Sequence, residues 1–224
     1  MLGILLALQV NNWNEARKLK KTEQLALIEI RSDVQTTLKD VFQDSLLHKI
    51  SLDAALDIMD FLNTDQEWHD SLALLFELAY YEFRISSIES SYRSLEAKGA
   101  DLISDKQLRN MISSFYDYDI PWLRRAEIGA GRFKELLLDY YTDHFSINEN
   151  LVVYSNRDID EAKKARDIVA RGFIPLDLEG LKQDPKFKVL LREVIYERKQ
   201  VFDAYQITAD NGILLIEALD KALN

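Results

Sequence analysis

The chain of 224 residues contains no cysteine, which excludes disulfides, thiolate nucleophiles and cysteine-ligated metals. It has only three prolines and seven glycines. A strand-rich fold needs a turn about every 8–12 residues, and this chain lacks the residues that would make them. Positive charge is not in excess either: 28 Lys and Arg stand against 38 Asp and Glu, a formal charge of −10. Without a basic face to neutralise phosphates, no nucleic-acid partner is expected. No apolar run reaches the roughly 20 residues that a bilayer crossing takes. What remains is a 47% hydrophobic chain with little punctuation, which reads as long helices around a core.

The one concentrated apolar stretch is MLGILLALQV, whose only polar side chain is Gln9. It runs into Asn11, Asn12, Trp13 and Asn14, and then into Arg17, Lys18, Lys20 and Lys21. Apolar body, interfacial tryptophan and flanking cations are the order found where a membrane helix enters water. The stretch is about half a crossing long. The chain therefore reads as starting inside a transmembrane helix, with Leu2, Ile4, Leu5, Leu6, Leu8, Val10, Trp13, Arg17 and Lys18 at the membrane interface. The tail of a signal peptide is the competing reading. No small-residue cleavage site follows Val10, and the helical pattern continues through Trp13.

Beyond Trp13 nothing breaks a helix until about Asn63, and Leu27, Ile30, Val34, Leu38, Val41, Leu52, Ala55, Met59 and Leu62 fall on one stripe. Thr64 and Glu67 have capping-box spacing and predict a second helix. Its seam is Leu74, Leu78, Tyr81, Ile85, Ile88, Tyr92 and Leu95, a heptad repeat of coiled-coil type that Gly99 would end. Ser104 and Gln107 form another box before a third helix through Leu108, Ile112, Phe115, Tyr118, Trp122, Ala126, Phe133, Leu137 and Tyr140. Pro121 lies inside it and predicts a kink. Residues 146–184 form a looser connection. Within it Leu151 to Tyr154 read as extended and Asp158 to Arg171 as a short helix with Gly172 as its stop. Asp184 before Pro185 then starts the last helix. The expected fold is all-α, an up-down-up-down bundle. Residues 1–12 end a transmembrane helix, 13–29 form a stalk and 30–224 form the bundle.

The run GILLALQVNNWNEARK resembles the junction of a family of small bacterial single-pass membrane proteins known only as a domain of unknown function. Tyr92-Arg93-Ser94-Leu95-Glu96-Ala97-Lys98-Gly99, continuing to Leu102-Ile103 and Leu108-Arg109, resembles that family's second recurring stretch. The resemblance implies an anchored helical domain at the bacterial inner membrane, with the domain on the periplasmic side. Arg17 to Lys21 argue for the opposite side. It supplies no activity, cofactor or catalytic residue, and says little about residues 146–224.

Candidate sites are few. Ser45 and His48 fall on the apolar stripe of the first helix, either as a ligand-binding or pH-sensing layer or as a hydrogen-bonded pair that fixes register. Asp44/His48 and Asp65/His69 have i,i+4 spacing, but a di-iron bundle needs Glu-x-x-His motifs that this chain lacks, and no metal is expected. Among Tyr80-Tyr81-Glu82-Phe83, Phe115-Tyr116-Asp117-Tyr118 and Tyr140-Tyr141, adjacent rings point about 100° apart, so one of each pair should be core and one surface. Gly129-Ala130-Gly131 follows no strand and is not a phosphate loop. Arg198 lies close to the apolar stripe of the last helix and is expected to snorkel or pair with an acid. Trp122, beside the Pro121 kink, is a candidate ligand contact. Together these predict no cofactor and no enzyme. The expected role is a membrane-anchored interaction, sensor or scaffold module, which meets lipid through its first helix and either an unknown protein partner or a second copy. The alternative is a ligand-binding or enzymatic bundle with its pocket near Pro121 or His48.

Overall fold

The computed structural model describes residues 2–147 and 172–224. Among them the chain is an all-α helical bundle with one two-stranded sheet. Its elements are α1 (Leu2–Leu62), α2 (Ser71–Tyr80), α3 (Ser90–Lys98), a 3₁₀ turn (Ala100–Leu102), α4 (Lys106–Ser114), a π-helical turn (Phe115–Asp119), α5 (Ile120–His144), β1 (Phe145–Ile147), β2 (Phe173–Pro175), α6 (Leu178–Gln183) and α7 (Pro185–Leu223). The expected strand at Leu151 to Tyr154 and helix at Asp158 to Arg171 lie outside the described residues.

Two compact units can be distinguished. The first holds residues 1–40, 86–121 and 208–224; the second holds residues 41–85 and 122–207. In the first unit Ile30 and Val34 of α1, Ile103, Ile112 of α4, Phe115 and Leu219 of α7 are buried. In the second, the core joins Ile58 and Phe61 of α1, Phe76 of α2, Leu137 and Tyr141 of α5, Phe145, and Phe187 and Leu191 of α7. β1 and β2 pair antiparallel, Phe145 opposite Pro175 and Ile147 opposite Phe173. Gly172, at φ +58°, turns the chain into β2 where an added Cβ would meet Ala73 at 3.0 Å.

The second helix of the sequence reading is two helices. α2 ends at Tyr80, and residues 81–89 are not helical before α3 begins. The seam breaks where Phe83-Arg84-Ile85-Ser86-Ser87-Ile88 offers a β-branched, serine-rich run of low helix propensity. The amides freed there are taken up by side chains. In the first unit Ser86 N–H donates to Asp40 (2.6 Å), Ile88 N–H to Thr37 Oγ1 (3.0 Å) and Ser91 N–H to Asp33 (3.0 Å). Ile88, a predicted core position, is exposed.

The capping boxes are also revised. α2 starts at Ser71, and the Thr64 hydroxyl donates to the Phe61 carbonyl at the end of α1. At α4 the cap is Asp105, whose carboxylate accepts from Gln107 and Leu108 N–H, while Ser104 donates to Glu23. Two caps stand where expected. Gly99, at φ +97°, closes α3, and Asp184 accepts from Lys186 N–H at the start of α7.

Pro121 does not kink a helix in α register. The turn before it is π-helical, with Ile120 N–H bonded to the Phe115 carbonyl. The ring of Pro121 would crowd the carbonyl four residues back, Asp117, and the wider turn relieves that clash. A π turn holds one extra residue, so the buried stripe beyond it moves by one position. Tyr118 and Trp122 are exposed, while Asp119, Leu123 and Glu127 are buried.

Candidate functional site

The second unit contains a layer of buried polar side chains on three helices. Asp44, His48 and Ser51 come from α1, Glu127 from α5, and Arg198 and Tyr205 from α7. On each helix these residues occupy stripe positions, four or three residues from apolar core neighbours such as Val41, Leu123 and Val201. The Tyr205 hydroxyl donates to Glu127 Oε1 at 2.5 Å, and Asp44 lies 3.4 Å away on its other side. The same Glu127 oxygen accepts Ile85 N–H at 2.7 Å.

His48 is wholly buried, and its ring packs on Tyr205 at 4.9 Å and edge-on to Phe83 at 5.8 Å. Its Nε2 lies 3.2 Å from the Phe83 carbonyl. A carbonyl only accepts, so Nε2 carries the proton and Nδ1 keeps its lone pair with no partner among the described residues. Burial first, and the Arg198 charge second, push the imidazole down to about 3, so it is neutral across physiological pH. Burial raises the Glu127 carboxyl above its ordinary range, against the hydrogen bonds from Tyr205 and Ile85. Burial also raises the Tyr205 phenol, helped by the negative field of Glu127. The three groups are thus poised as neutral imidazole, reluctant acid and un-ionised phenol.

Arg198 does not snorkel, and among the described residues it forms no ion pair. It is 3% exposed and donates to the Ala79 carbonyl at 3.1 Å, and burial lowers its pKa to about 10. The gap beside it, lined by Ala130, Phe133, Leu137 and Val194, has no room for a water molecule. Ser51 donates to the Leu78 carbonyl at 2.8 Å. In this unit, therefore, the end of α2 and the chain after it are held at Leu78, Ala79, Phe83 and Ile85 by four side chains.

The expected residues fall differently from the reading. Ser45 and His48 are both buried but do not bond to each other; Gln206 donates to Ser45 at 2.8 Å, and His48 serves Phe83. Trp122 is exposed, with the Arg125 guanidinium 5.9 Å from its ring centre. Asp65 and His69 are exposed, and His69 pairs with Ser71. No group of three or more metal-ligating side chains occurs among the described residues. Tyr140 and Tyr141 are both core, as are Phe115 and Tyr116, against the expectation of one per pair. The reason at the end of α5 is enclosure from two sides: Tyr140 stacks on Phe187 at 4.8 Å, and Tyr141 meets Phe145 and Phe173, each at 4.6 Å. A concavity of about 500 Å³ is lined by Thr64, Glu67, Trp68, Glu179, Lys182 and Lys188 among others, and by neither Pro121 nor His48.

Glu127 and Tyr205 were missed. Tyr205 is four residues from Val201 on the buried face of α7, and nothing in the sequence marks its hydroxyl as bonded. Glu127 is hidden because a stripe counted in α register through Pro121 puts Ala126 inward instead.

The N-terminal end of α1 is the second feature. Ile4, Leu6, Leu8, Val10 and Trp13 are all more than half exposed. Every described side chain from Ile4 to Thr22, Arg17 and Lys18 included, is exposed. The side chains of Leu2 and Leu5 lie outside the described residues. Continuous burial begins at Ala26 and Leu27, within the stretch expected to form the stalk. No helix among the described residues is long and apolar enough to cross a membrane. Compared with protein-family models, curated proteins and solved structures, the chain matches none.

Proposed function

We propose that this chain is a helical interaction or scaffold module held at a lipid bilayer by the N-terminal end of α1. The observation that carries the reading is the distribution of exposed apolar side chains around that helix. At about 100° per residue, Ile4 and Leu8 face one way and Leu6, Val10 and Trp13 face the other. A seam for a second helix would be apolar on one side and polar on the other. A helix apolar on all sides suits a surrounding that is itself apolar. The likeness of the junction to single-pass bacterial membrane proteins supports the same reading. Nine residues from Leu2 to Val10 rise only about 14 Å, roughly half the hydrocarbon thickness.

Flotation of the full chain with neutral phosphatidylcholine vesicles tests this. The wild-type chain should rise with the vesicles. A variant carrying Leu6→Glu and Leu8→Glu, one on each side of the helix, should stay at the bottom with an unchanged circular-dichroism spectrum. A wild-type chain that stays at the bottom, or a variant that floats equally well, overturns the reading.

A further inference from the structure

Resting on that lipid reading, we infer that Arg17, Lys18, Lys20 and Lys21 form a basic patch that fits an anionic lipid surface, taking the phosphate headgroups as its ligands. The four cations lie within five residues of α1 and are all exposed. At about 100° per residue they fall within an arc of about 160°, on one side of the helix and at one level of its axis. A patch only five residues long, directly beyond an apolar tip, suits a helix that meets a plane of headgroups at that level; a helix lying along a groove or a duplex would carry a longer basic row. Its position along the axis agrees. Lys18 is about 8 Å beyond Trp13, the depth step from an interfacial ring to the phosphate layer.

Charge makes the assignment specific. Two acids flank the patch: Glu15, which pairs with Lys18 at 3.2 Å, and Glu23, which accepts from Ser104. Arg17 packs over the Trp13 ring at 5.7 Å, so its charge is held at the level of the interfacial ring. Lys20 and Lys21 enter no ion pair among the described residues. The chain as a whole carries −10, so an anionic surface should repel it. The bare length of α1 answers that objection. From Trp13 to Glu23, where Ser104 first meets α1, the helix rises about 15 Å, against a Debye length of about 8 Å at physiological salt. The patch sits within the surface field, and the folded acidic part starts beyond it.

The test compares neutral phosphatidylcholine vesicles with vesicles in which about a third of the lipid is phosphatidylglycerol. At roughly 1 kcal/mol per cation near such a surface, with one cation offset by Glu15, the wild-type chain should prefer the anionic vesicles about a hundredfold. About 1 M salt should erase the preference. The variant Arg17→Gln, Lys18→Gln, Lys20→Gln, Lys21→Gln should lose the preference and still bind neutral vesicles as the wild type does. Equal wild-type binding to both compositions, or a preference that survives in the variant, overturns the basic patch and leaves the apolar insertion standing. Wild-type binding to anionic vesicles alone, lost in the variant, supports the basic patch and removes the apolar insertion. An excess of short duplex DNA should leave the vesicle-bound fraction unchanged; capture of the chain by DNA overturns the assignment to lipid.

Discussion

Each unit solves the same problem with different materials. A helix that sequence periodicity would run from about Thr64 to Lys98 stops at Tyr80 and resumes at Ser90, leaving backbone groups that need partners. The first unit supplies Asp33, Thr37 and Asp40, and both carboxylates are half-buried. The second supplies His48, Ser51, Glu127 and Arg198, all buried. Where water can reach, losing an acceptor lets water replace it. Where water cannot, the orphaned amide bears the full desolvation cost. The second unit is therefore the more sensitive of the two, although the bonds look alike on paper.

The largest expected effect is on pH. His48 is neutral in the fold and titrates near 6.5 when unfolded. Between those values the unfolded chain binds a proton that the folded chain does not, so this contribution to stability is full above about pH 6.5 and is lost as pH falls toward 3. From pH 7 to pH 4 the loss is about 3 kcal/mol. Glu127 works the other way. Its raised pKa lets the folded chain hold a proton above the ordinary carboxyl range, and that contribution falls as pH rises. The comparison is therefore between the wild type and His48→Gln, whose amide still donates to Phe83. Urea midpoints at the two pH values should converge in the variant; the same acid slope in both would sink the buried neutral imidazole.

The direct contrast between the units is next in size. Glu127→Ala orphans Ile85 N–H and leaves the Tyr205 hydroxyl only the 3.4 Å contact to Asp44, at a cost of about 2–3 kcal/mol, while Glu127→Gln keeps the accepting oxygen and costs about 1 kcal/mol. Asp40→Ala frees Ser86 N–H where Ser86 is exposed and should cost less than about 1 kcal/mol. Urea denaturation ranks the three, and an Asp40→Ala loss equal to that of Glu127→Ala would erase the distinction between wet and dry lacing.

The sequence carried the parts of this molecule that depend on local chemistry. α1 ran unbroken to Leu62 because nothing before Asn63 stops a helix, and Gly99 and Asp184 declared their caps. Ser45, His48 and Arg198 stood out as polar residues on apolar stripes, and all three are buried. What was hidden depends on partners far along the chain. The break after Tyr80 is favoured by side chains as distant as Glu127 and Arg198, which no window around Phe83 contains. The π turn before Pro121 shifts the register just beyond it by one, which turns Trp122 outward and Glu127 inward, while Leu137 and Tyr140 farther along are buried as expected. Periodicity reports which face is apolar only while the period itself holds.

The smallest effects come from two helical glycines, one in each unit, and here the units differ in sign. Gly to Ala in a helix interior gains about 0.5–1 kcal/mol if the new methyl has space. In the first unit, a Cβ on Gly212 would lie 2.6 Å from Leu38 Cδ2 and 3.0 Å from Phe115 Cε2. Leu38 and Phe115 are buried core side chains, so overpacking of about 1–3 kcal/mol exceeds the gain, and Gly212→Ala should destabilise. In the second unit, a Cβ on Gly129 would meet only Glu197 Oε2 at 3.2 Å, the tip of a flexible side chain that can move aside. Gly129→Ala should therefore stabilise by about 0.5 kcal/mol. Thermal melts of the two single variants, recorded at one pH, read the signs directly. A rise for Gly212→Ala would mean that the first unit's core is looser than its packing distances imply, and that the tighter half of the molecule is the one built on the polar layer.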